Sequence, residues 1–359
     1  MSKFLNERYR KLQPYQPGEQ PKIDNLIKLN TNESPYPPGQ GVVEAVNQQV
    51  IERLRLYPDP ECAALKTQIA GIYGMKKENV YVANGSDDIL NFAFMAFADD
   101  RNGVMFPEIS YGFYQVFAKL HGIPMRKIPL KEDFSIDPLA YTGQGAMIVI
   151  ANPNAPTGTT LALYQIEEIV RTNPESVVVI DEAYIDFGGE SCVDLVHKYD
   201  NLLVVQTFSK SRSLAGARLG FAIGAAGLIS DLERIRYATN PYNVNSMTMA
   251  AGIAALQEEA YYRANCAEIV KTREKTAEGL KNLGFSIVPS KANFLFVKSD
   301  RIDGQRFYQE MRNAGVLIRH FDTDKIRDYN RVTIGTPKQM DIFLDTAEKI
   351  LRKASHENK

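Results

Sequence analysis

The sequence predicts an α/β protein with a large, doubly wound, mostly parallel sheet domain and a smaller α+β domain. With 359 residues and 40.3 kDa, the chain is too long for one compact core, so two packed domains are expected. Between residues 41 and 245, short apolar runs alternate with helical patterns, which is typical of a parallel sheet covered by helices on both faces. From residue 246 onward, a long charged helical pattern leads into short strands and helices of a different texture.

The predicted strands of the first region are β-branched and almost continuously apolar, as strands buried on both faces are. They span residues 80–83, 103–106, 146–151, 177–181, 203–207 and 219–223. Helical patterns lie between them, for example over residues 86–98 and 163–171, and Asn173-Pro174 follows the second of these. This alternation predicts a large domain over residues 41–245.

The region from 246 to 359 has a second pattern. A helical pattern over 246–283 precedes predicted strands at 285–288, 294–297, 316–319 and 331–335, with helices at 303–314 and 337–353. Residues 1–40 are rich in Pro, Gln and Asn and predict an irregular arm. We expect the arm of residues 1–40 to join residues 246–359 in the small domain.

Composition excludes several classes of partner. A net charge of −1 with 24% charged residues provides no field for polyanions, so binding to nucleic acid or to an anionic membrane is not expected. The three cysteines, Cys62, Cys192 and Cys266, have no framework spacing and indicate free thiols in a reducing compartment. The first 18 residues lack the apolar segment of a signal peptide, and no apolar run approaches the ~20 residues of a membrane span. A cytoplasmic location is therefore expected.

Motifs for common hydrolases are missing. The four histidines, at 121, 197, 320 and 356, are far apart and form no zinc-binding pair. The sequence contains no G-x-S-x-G elbow and no phosphate-binding G-x-x-x-x-G-K-[ST] loop. Metal-dependent and serine hydrolase chemistry are not expected.

Asp181 ends a predicted buried strand and is followed by Glu182-Ala183-Tyr184. An unpaired carboxylate in such a place is costly, so Asp181 needs a cationic partner. A protonated pyridine nitrogen is one that also has catalytic use, because it keeps the ring an electron sink. Tyr184 would then reach the oxygen on the same ring. An N-cap aspartate followed by a packing tyrosine remains the alternative.

Lys210 follows the next strand, within Thr207-Phe208-Ser209-Lys210, and Arg218 lies eight residues later. Burial at the end of a sheet disfavours the ammonium form of a lysine, which makes it a competent Schiff-base nucleophile. Arg218 provides a forked cation suited to phosphate, and Thr207 and Ser209 add hydroxyl donors. The alternative, a surface lysine beside a loop, does not explain why hydroxyls, a lysine and an arginine occur so close together in this segment.

Gly85-Ser86-Asp87 joins a predicted strand to a predicted helix. Glycine permits close approach of the backbone, and the helix N-terminus offers free N–H groups to an anion. Most such segments are only helix caps. Tyr111, after the following strand, is placed to stack on a flat ring, with an ordinary core aromatic as the alternative.

Together these segments resemble the fold-type I pyridoxal-5′-phosphate (PLP) enzymes and, within them, the histidinol-phosphate aminotransferase family. The resemblance extends over nearly the whole chain, in order. The motifs are Asn30-Thr31-Asn32-Glu33-Ser34-Pro35-Tyr36, Tyr57-Pro58-Asp59, Asn152-Pro153-Asn154-Ala155-Pro156-Thr157-Gly158, Ser209-Lys210 with Leu214-Ala215-Gly216 and Arg218, and Arg331-Val332-Thr333-Ile334-Gly335-Thr336. The segment around Lys210 is the most specific of them.

The resemblance implies further roles. Tyr57 reaches the cofactor phosphate of a neighbouring subunit, which implies a homodimer. Arg331 takes the α-carboxylate of the substrate, and Arg319, assisted by Tyr15, takes its phosphate. Asn32 is expected among the residues that bind substrate.

One departure from the family pattern concerns the ring oxygen. The family has asparagine immediately before Pro-Thr-Gly, and this chain has Ala155. The contact to the ring oxygen is therefore expected from Asn154, from Asn152, or from Tyr184 alone.

The implied reaction transfers the amino group of L-histidinol phosphate to 2-oxoglutarate, giving imidazole-acetol phosphate and glutamate in histidine biosynthesis. Lys210 would move a proton as general base and acid. An aromatic amino-acid aminotransferase and a PLP-dependent decarboxylase of a phosphorylated amino acid share the cofactor apparatus and remain alternatives. A PLP-binding regulator without chemistry is disfavoured, because the chain has no spare domain for binding DNA.

Overall fold

The computed structural model describes residues 2–22 and 25–357. Met1, residues 23–24 and residues 358–359, which the predicted arm and C-terminal region include, lie outside the described residues. The described strands form three sheets, of seven, four and two strands.

The large sheet has the strand order β2-β8-β7-β6-β5-β3-β4. Its strands are β2 (Val80–Ala83), β3 (Val104–Pro107), β4 (Met125–Ile128), β5 (Met147–Ala151), β6 (Val178–Asp181), β7 (Leu202–Thr207) and β8 (Gly220–Gly224). Strands β3 to β7 pair in parallel, whereas β8 is antiparallel to both of its neighbours, β2 and β7. The predicted mostly parallel sheet is confirmed.

Helices cover both faces of this sheet. These helices are α1 (Gln40–Ala45), α2 (Gln48–Glu52), α3 (Ala63–Ile72), α4 (Ser86–Phe97), α5 (Phe113–His121), α6 (Leu163–Arg171), α7 (Ala226–Thr239) and α8 (Ser246–Gln257). The long helix α9 (Glu259–Asn282) packs mainly against the four-stranded sheet. Successive strand residues point to opposite faces: Val178 and Ile180 belong to one apolar cluster and Val179 to the other. The continuous apolar runs are explained by this burial on both faces.

The smaller sheet is antiparallel, with the order β12-β13-β10-β9. It contains β9 (Phe285–Val288), β10 (Phe294–Ser299), β12 (Arg319–His320) and β13 (Asn330–Thr333), and its helices are α10 (Gly304–Asn313) and α11 (Pro337–Glu357). The N-terminal segment joins this region, because β1 (Ile27–Lys28) pairs in parallel with β11 (Val316–Leu317).

Three elements differ from the sequence prediction. Strand β4 was not predicted, because it lies at the sheet edge and its central residues, Arg126 and Lys127, are exposed. The helical pattern of 246–283 is two helices that meet at Glu258, whose carboxylate accepts the Gly41 backbone N–H. The predicted strand 316–319 is divided between two sheets. In the described part of the chain, no helix has the length and apolarity needed to cross a membrane.

Candidate active site

A cavity of about 440 Å³ lies at the carboxyl ends of the central strands of the large sheet. Ala151, Asp181 and Thr207, which end β5, β6 and β7, contribute to its wall. This is where ligands bind in doubly wound sheets. The predicted site residues that line it are Ser86, Asp87, Tyr111, Asp181, Tyr184, Thr207, Ser209, Lys210 and Arg218.

Asp181 lies in the wall of this cavity with 4% of its surface exposed. One carboxylate oxygen accepts the Tyr114 hydroxyl at 2.8 Å, and the other accepts the Ala183 backbone N–H at 3.2 Å. Burial raises the pKa of Asp181 to about 6 despite these two donors. A cation inside the cavity would therefore gain a strong, rigidly held partner.

Tyr114 is a functional candidate that sequence reasoning missed. It is fully buried in α5, three residues after Tyr111, and its hydroxyl fixes the carboxylate of Asp181. Tyr111 precedes the N-terminus of α5, so no shared helix face relates the two tyrosines, and the sequence offered no signal for Tyr114.

Lys210 is half-buried and its amine faces the cavity. The Nζ atom donates to the Thr31 carbonyl at 3.2 Å and lies 5.8 Å from the centre of the Tyr184 ring. Burial, and secondarily the positive charge of Arg331, lowers the pKa of Lys210 to about 8. About a tenth of this amine is thus neutral and nucleophilic at pH 7, against less than about one part in a thousand for a lysine with an ordinary pKa.

The other end of the cavity is suited to an anion. The N-terminus of α4, at Ser86, and the guanidinium of Arg218 meet there, with the hydroxyls of Thr207 and Ser209 3.0 Å apart nearby. Helix N-terminal N–H groups and a guanidinium are the donors that phosphate prefers.

Gly85 is required at this end of the cavity. Its φ is +87°, and a Cβ atom there would lie 2.7 Å from Nη2 of Arg218. The missing side chain lets the guanidinium approach the start of α4. Asp87 does not donate to an anion here. Its carboxylate accepts hydrogen bonds from Arg218 at 3.0 Å and from the Tyr111 hydroxyl at 2.7 Å, and so it positions these two side chains.

The predicted substrate residues lie beside the cavity and are not part of its lining. Arg319 and Arg331 are direct partners on the neighbouring strands β12 and β13. Arg331 donates to the Asn30 carbonyl at 2.8 Å, and its buried Nε has no hydrogen-bond partner among the described residues. Among the described residues, the Arg319 side chain donates only to the Gln16 and Pro17 carbonyls, at 3.4 and 3.5 Å, and its guanidinium lies 5.7 Å from the centre of the Phe321 ring.

Tyr15 brings the N-terminal arm to the same place. Its ring stacks on Phe113 at 4.2 Å and is tilted against Tyr111 at 6.1 Å. Burial raises the pKa of the Tyr15 hydroxyl, and both Arg331 and Arg319 act against that rise. Tyr15 is therefore close to both arginines.

Three predicted residues are placed away from the cavity wall. The Asn154 amide donates to the Ile109 carbonyl and to Thr157, and the wall at this point is Ala155. Asn32 is buried and donates to the Tyr184 hydroxyl at 2.9 Å. Tyr57 is 82% exposed and stacks on Tyr242 at 4.6 Å.

Asn152 is also occupied elsewhere, since its side-chain oxygen accepts the Leu161 backbone N–H at 2.8 Å. Of the three candidates for the ring oxygen, Tyr184 is the one in the cavity wall. Further lining residues, to which the sequence analysis gave no role of their own, are Gln20, Thr31, Glu33, Ala183, Ala215 and Gly216. Across residues 2–22 and 25–357, no group of three His, Cys, Asp or Glu side chains could hold a metal ion.

The chain resembles known proteins along almost its full length. The model of the aminotransferase class I and II family matches residues 24–346. A histidinol-phosphate aminotransferase of Brachyspira hyodysenteriae is 48% identical over 353 residues, covering 98% of this chain and all of that protein. One from Clostridium acetobutylicum is 46% identical over 351 residues, with the same coverage.

Solved structures share the fold. The histidinol-phosphate aminotransferase of Sinorhizobium meliloti, in complex with pyridoxal-5′-phosphate, has a TM-score of 0.83 at 22% identity, covering 91% of each chain. That of Clostridium acetobutylicum has a TM-score of 0.84 at 23% identity, covering 91% of this chain and all of the other. Since the family model spans most of the sequence, the chain belongs to the aminotransferase class I and II family.

Proposed function

We propose that this chain is a PLP-dependent transaminase that converts L-histidinol phosphate and 2-oxoglutarate to imidazole-acetol phosphate and glutamate in histidine biosynthesis. The observation that carries the proposal is the meeting of an amine, a carboxylate and a guanidinium around one cavity, those of Lys210, Asp181 and Arg218. The choice of substrate is supported by relatives named histidinol-phosphate aminotransferase that are 44–48% identical over 94–98% of this chain.

The cavity fits PLP at both of its ends. The space that a Cβ of Gly85 would fill is held open beside Arg218, and the phosphate would bind there to Arg218, the start of α4, Thr207 and Ser209. Asp181 would pair with the ring nitrogen, and Tyr184 would donate to the ring oxygen. When bound, PLP supplies an electrophilic carbonyl carbon and an electron sink for the substrate amine.

The residues of the chain move and hold the protons. Nζ of Lys210, with its pKa near 8, takes the proton from the α-carbon of the substrate and returns one to complete the transfer. Asp181, in its ionised form, would pair with the ring nitrogen and would keep a proton on it. Tyr114 and the Ala183 N–H fix the direction of the carboxylate.

The pair of arginines accounts for two different substrates. Arg331 would bind the α-carboxylate of glutamate, for which its unpartnered Nε is available. Arg319, whose hydrogen bonds to the Gln16 and Pro17 carbonyls are long, would bind the phosphate of histidinol phosphate or the distal carboxylate of glutamate. Tyr15 and Asn32 belong to the same region.

A test follows the visible absorption of the protein after PLP is added, and then after L-histidinol phosphate is added. We expect a band that forms with PLP and disappears with the substrate, together with a keto product. Lys210→Ala should abolish the band, whereas Lys281→Ala, at an exposed position of α9, should leave it unchanged.

The alternatives give different outcomes in the same assay. A band that ignores histidinol phosphate and responds to aromatic amino acids would favour an aromatic aminotransferase. Evolution of CO₂ from a phosphorylated amino acid without a keto product would favour a decarboxylase. An Arg319→Ala variant that still reacts normally with histidinol phosphate would refute the role given to Arg319.

We also propose a cytoplasmic homodimer in which Tyr57 reaches the phosphate bound by the partner subunit. The Tyr57 ring and its apolar neighbours Leu54 and Leu56 are exposed in the single chain. Such a patch supports the proposal that the partner subunit covers this surface. The three cysteines are free and buried, as expected in a reducing compartment. Light scattering that found an active monomer would refute the dimer.

The division into domains is part of the proposal. Residues 41–245 would carry the cofactor, and residues 1–40 with 246–359 would form the smaller domain. The pairing of β1 with β11 supports this association of the arm.

A further inference from the structure

A chain of buried hydrogen bonds runs from Thr333 to the hydroxyl of Tyr184. The backbone N–H of Asn32 donates to the Thr333 hydroxyl oxygen at 3.0 Å. The Thr333 hydroxyl donates to the side-chain oxygen of Asn32 at 3.0 Å, and the amide nitrogen of Asn32 donates to the Tyr184 oxygen at 2.9 Å. Asn32 and Thr333 are 1% and 3% exposed, so water does not compete for these bonds.

The direction of each bond follows from the first one. A backbone N–H can only donate, so the Thr333 oxygen accepts and its proton needs another acceptor. The side-chain oxygen of Asn32 is the one in range. The reverse orientation of the Asn32 amide would leave this buried hydroxyl proton without an acceptor among the described residues, which is costly.

This direction leaves the Tyr184 proton free. Because the Tyr184 oxygen accepts from Asn32, its own proton is available to a group in the cavity, whose wall Tyr184 forms. Ala155 offers no polar side chain at this wall, and the side-chain N–H groups of Asn152 and Asn154 donate to the Leu161 and Ile109 carbonyls. The Tyr184 hydroxyl therefore acts without help from that loop.

We propose that Thr333 is a positioning residue that acts through Asn32, directing the Tyr184 proton into the cavity, to the ring oxygen of the cofactor. The identity of that acceptor rests on the proposed function. Thr333 belongs to the small sheet and Tyr184 follows β6 of the large sheet, so the relay also links the two sheets. Because the Tyr184 oxygen accepts a hydrogen bond from Asn32, the hydrogen bond that the Tyr184 hydroxyl donates is also strengthened.

The test is a pH titration of the visible band of the PLP-loaded protein. A proton donated to the ring oxygen stabilises its ionised form, so losing that donation raises the spectroscopic pKa. Thr333→Val keeps the volume and removes the hydroxyl, and we expect an upward shift of about 0.5 to 1 pH unit, the size of one hydrogen bond. Thr333→Ser keeps the hydroxyl and should titrate like the wild type.

Two more variants complete the design. Tyr184→Phe should shift the titration at least as far as Thr333→Val, and the double variant should shift no further than Tyr184→Phe alone. Asn32 has φ +56°, which glycine adopts without strain. Asn32→Gly should therefore reproduce the shift, and it serves if Thr333→Val does not fold.

The charged groups that face Tyr184 are Arg331, Asp181, Asp87 and Lys210, and none of them changes in these variants. An unshifted titration in Thr333→Val and Asn32→Gly, beside a shifted one in Tyr184→Phe, would overturn the relay and leave the proposed function standing. A wild-type protein that forms no visible band with PLP would instead refute the proposed function.

Discussion

Replacing Asp181 with asparagine should stabilise the cofactor-free protein and reduce the further stabilisation that PLP gives. In the cofactor-free protein, burial raises the pKa of Asp181 from 3.8 to about 6. At ~1.36 kcal/mol per pKa unit, keeping this carboxylate ionised costs about 3 kcal/mol of folding free energy. Asparagine has the same shape and no charge, so it should remove that cost.

The cost depends on pH with a definite sign. Below pH 3.8 the carboxyl is protonated in both the folded and unfolded chains, and above about pH 6 it is ionised in both. Between these values the unfolded chain loses its proton first, so stability falls as pH rises. The free energy of unfolding of the cofactor-free Asp181→Asn protein should therefore rise relative to that of the wild type across this interval, and it should remain higher at pH 8.

Saturating PLP should narrow this difference, because the ring nitrogen would then give the carboxylate a cationic partner, a bond of about 2 kcal/mol that asparagine cannot match. Urea unfolding, followed by circular dichroism at fixed protomer concentration, measures both states. The chain contains no tryptophan, so fluorescence is a weaker probe.

Glu182→Gln is the matched control. Glu182 is the next residue and equally buried, and burial raises its pKa to about 7. Its carboxylate is bonded to Ser191, Gln206 and the Cys192 N–H, away from the cavity lining. Glu182→Gln should change the pH dependence without changing the stabilisation by PLP. If Asp181→Asn responded to PLP as strongly as the wild type, the pairing of Asp181 with the ring would be refuted.

Three other predictions concern the walls of the cavity. Arg218→Lys loses the forked donor and should weaken PLP binding about tenfold or more in equilibrium dialysis; unchanged affinity would exclude Arg218 from the phosphate site. Gly85→Ala should lower the free energy of unfolding by about 1 to 2 kcal/mol, since φ is +87° there, and should also weaken PLP binding; a fully stable variant would contradict this. The rate at which the visible band forms should rise with pH through about 8, as Lys210 loses its proton, and the midpoint should move upward in Arg331→Met; a pH-independent rate would refute the lowered pKa.

Much of the large domain's fold was predictable because its signal is local. Strand β2 and helix α6 have the predicted bounds, since buried runs and amphipathic periodicity are encoded in adjacent residues. The break between α8 and α9 was not predictable, because Glu258 is held by Gly41, 217 residues away. No local sequence pattern predicts such a contact.

The site shows the same limit. Asp181 ends β6, and Lys210 and Arg218 lie in the segment that follows β7. The carboxyl ends of these strands meet at one edge of the sheet, so the meeting of the three side chains was predictable. Tyr114 and Thr333 were missed because a buried tyrosine or threonine has no distinguishing pattern in one sequence. The direction in which Asn154 and Asn32 turn depends on partners from other elements, which the sequence order does not reveal.

Residues 30–32 contact site residues that are far from them in the sequence. They contact Arg331 and Thr333 across 301 residues, Lys210 across 179 and Tyr184 across 152. Residues 30–32 are synthesised long before their partners, so they lack these contacts while the large sheet forms. Closing such long loops is entropically slow. Lys210 and Asp181 can thus assemble on the sheet first, and residues 30–32, which bond to Lys210 and Tyr184, dock last, when synthesis has passed residue 333.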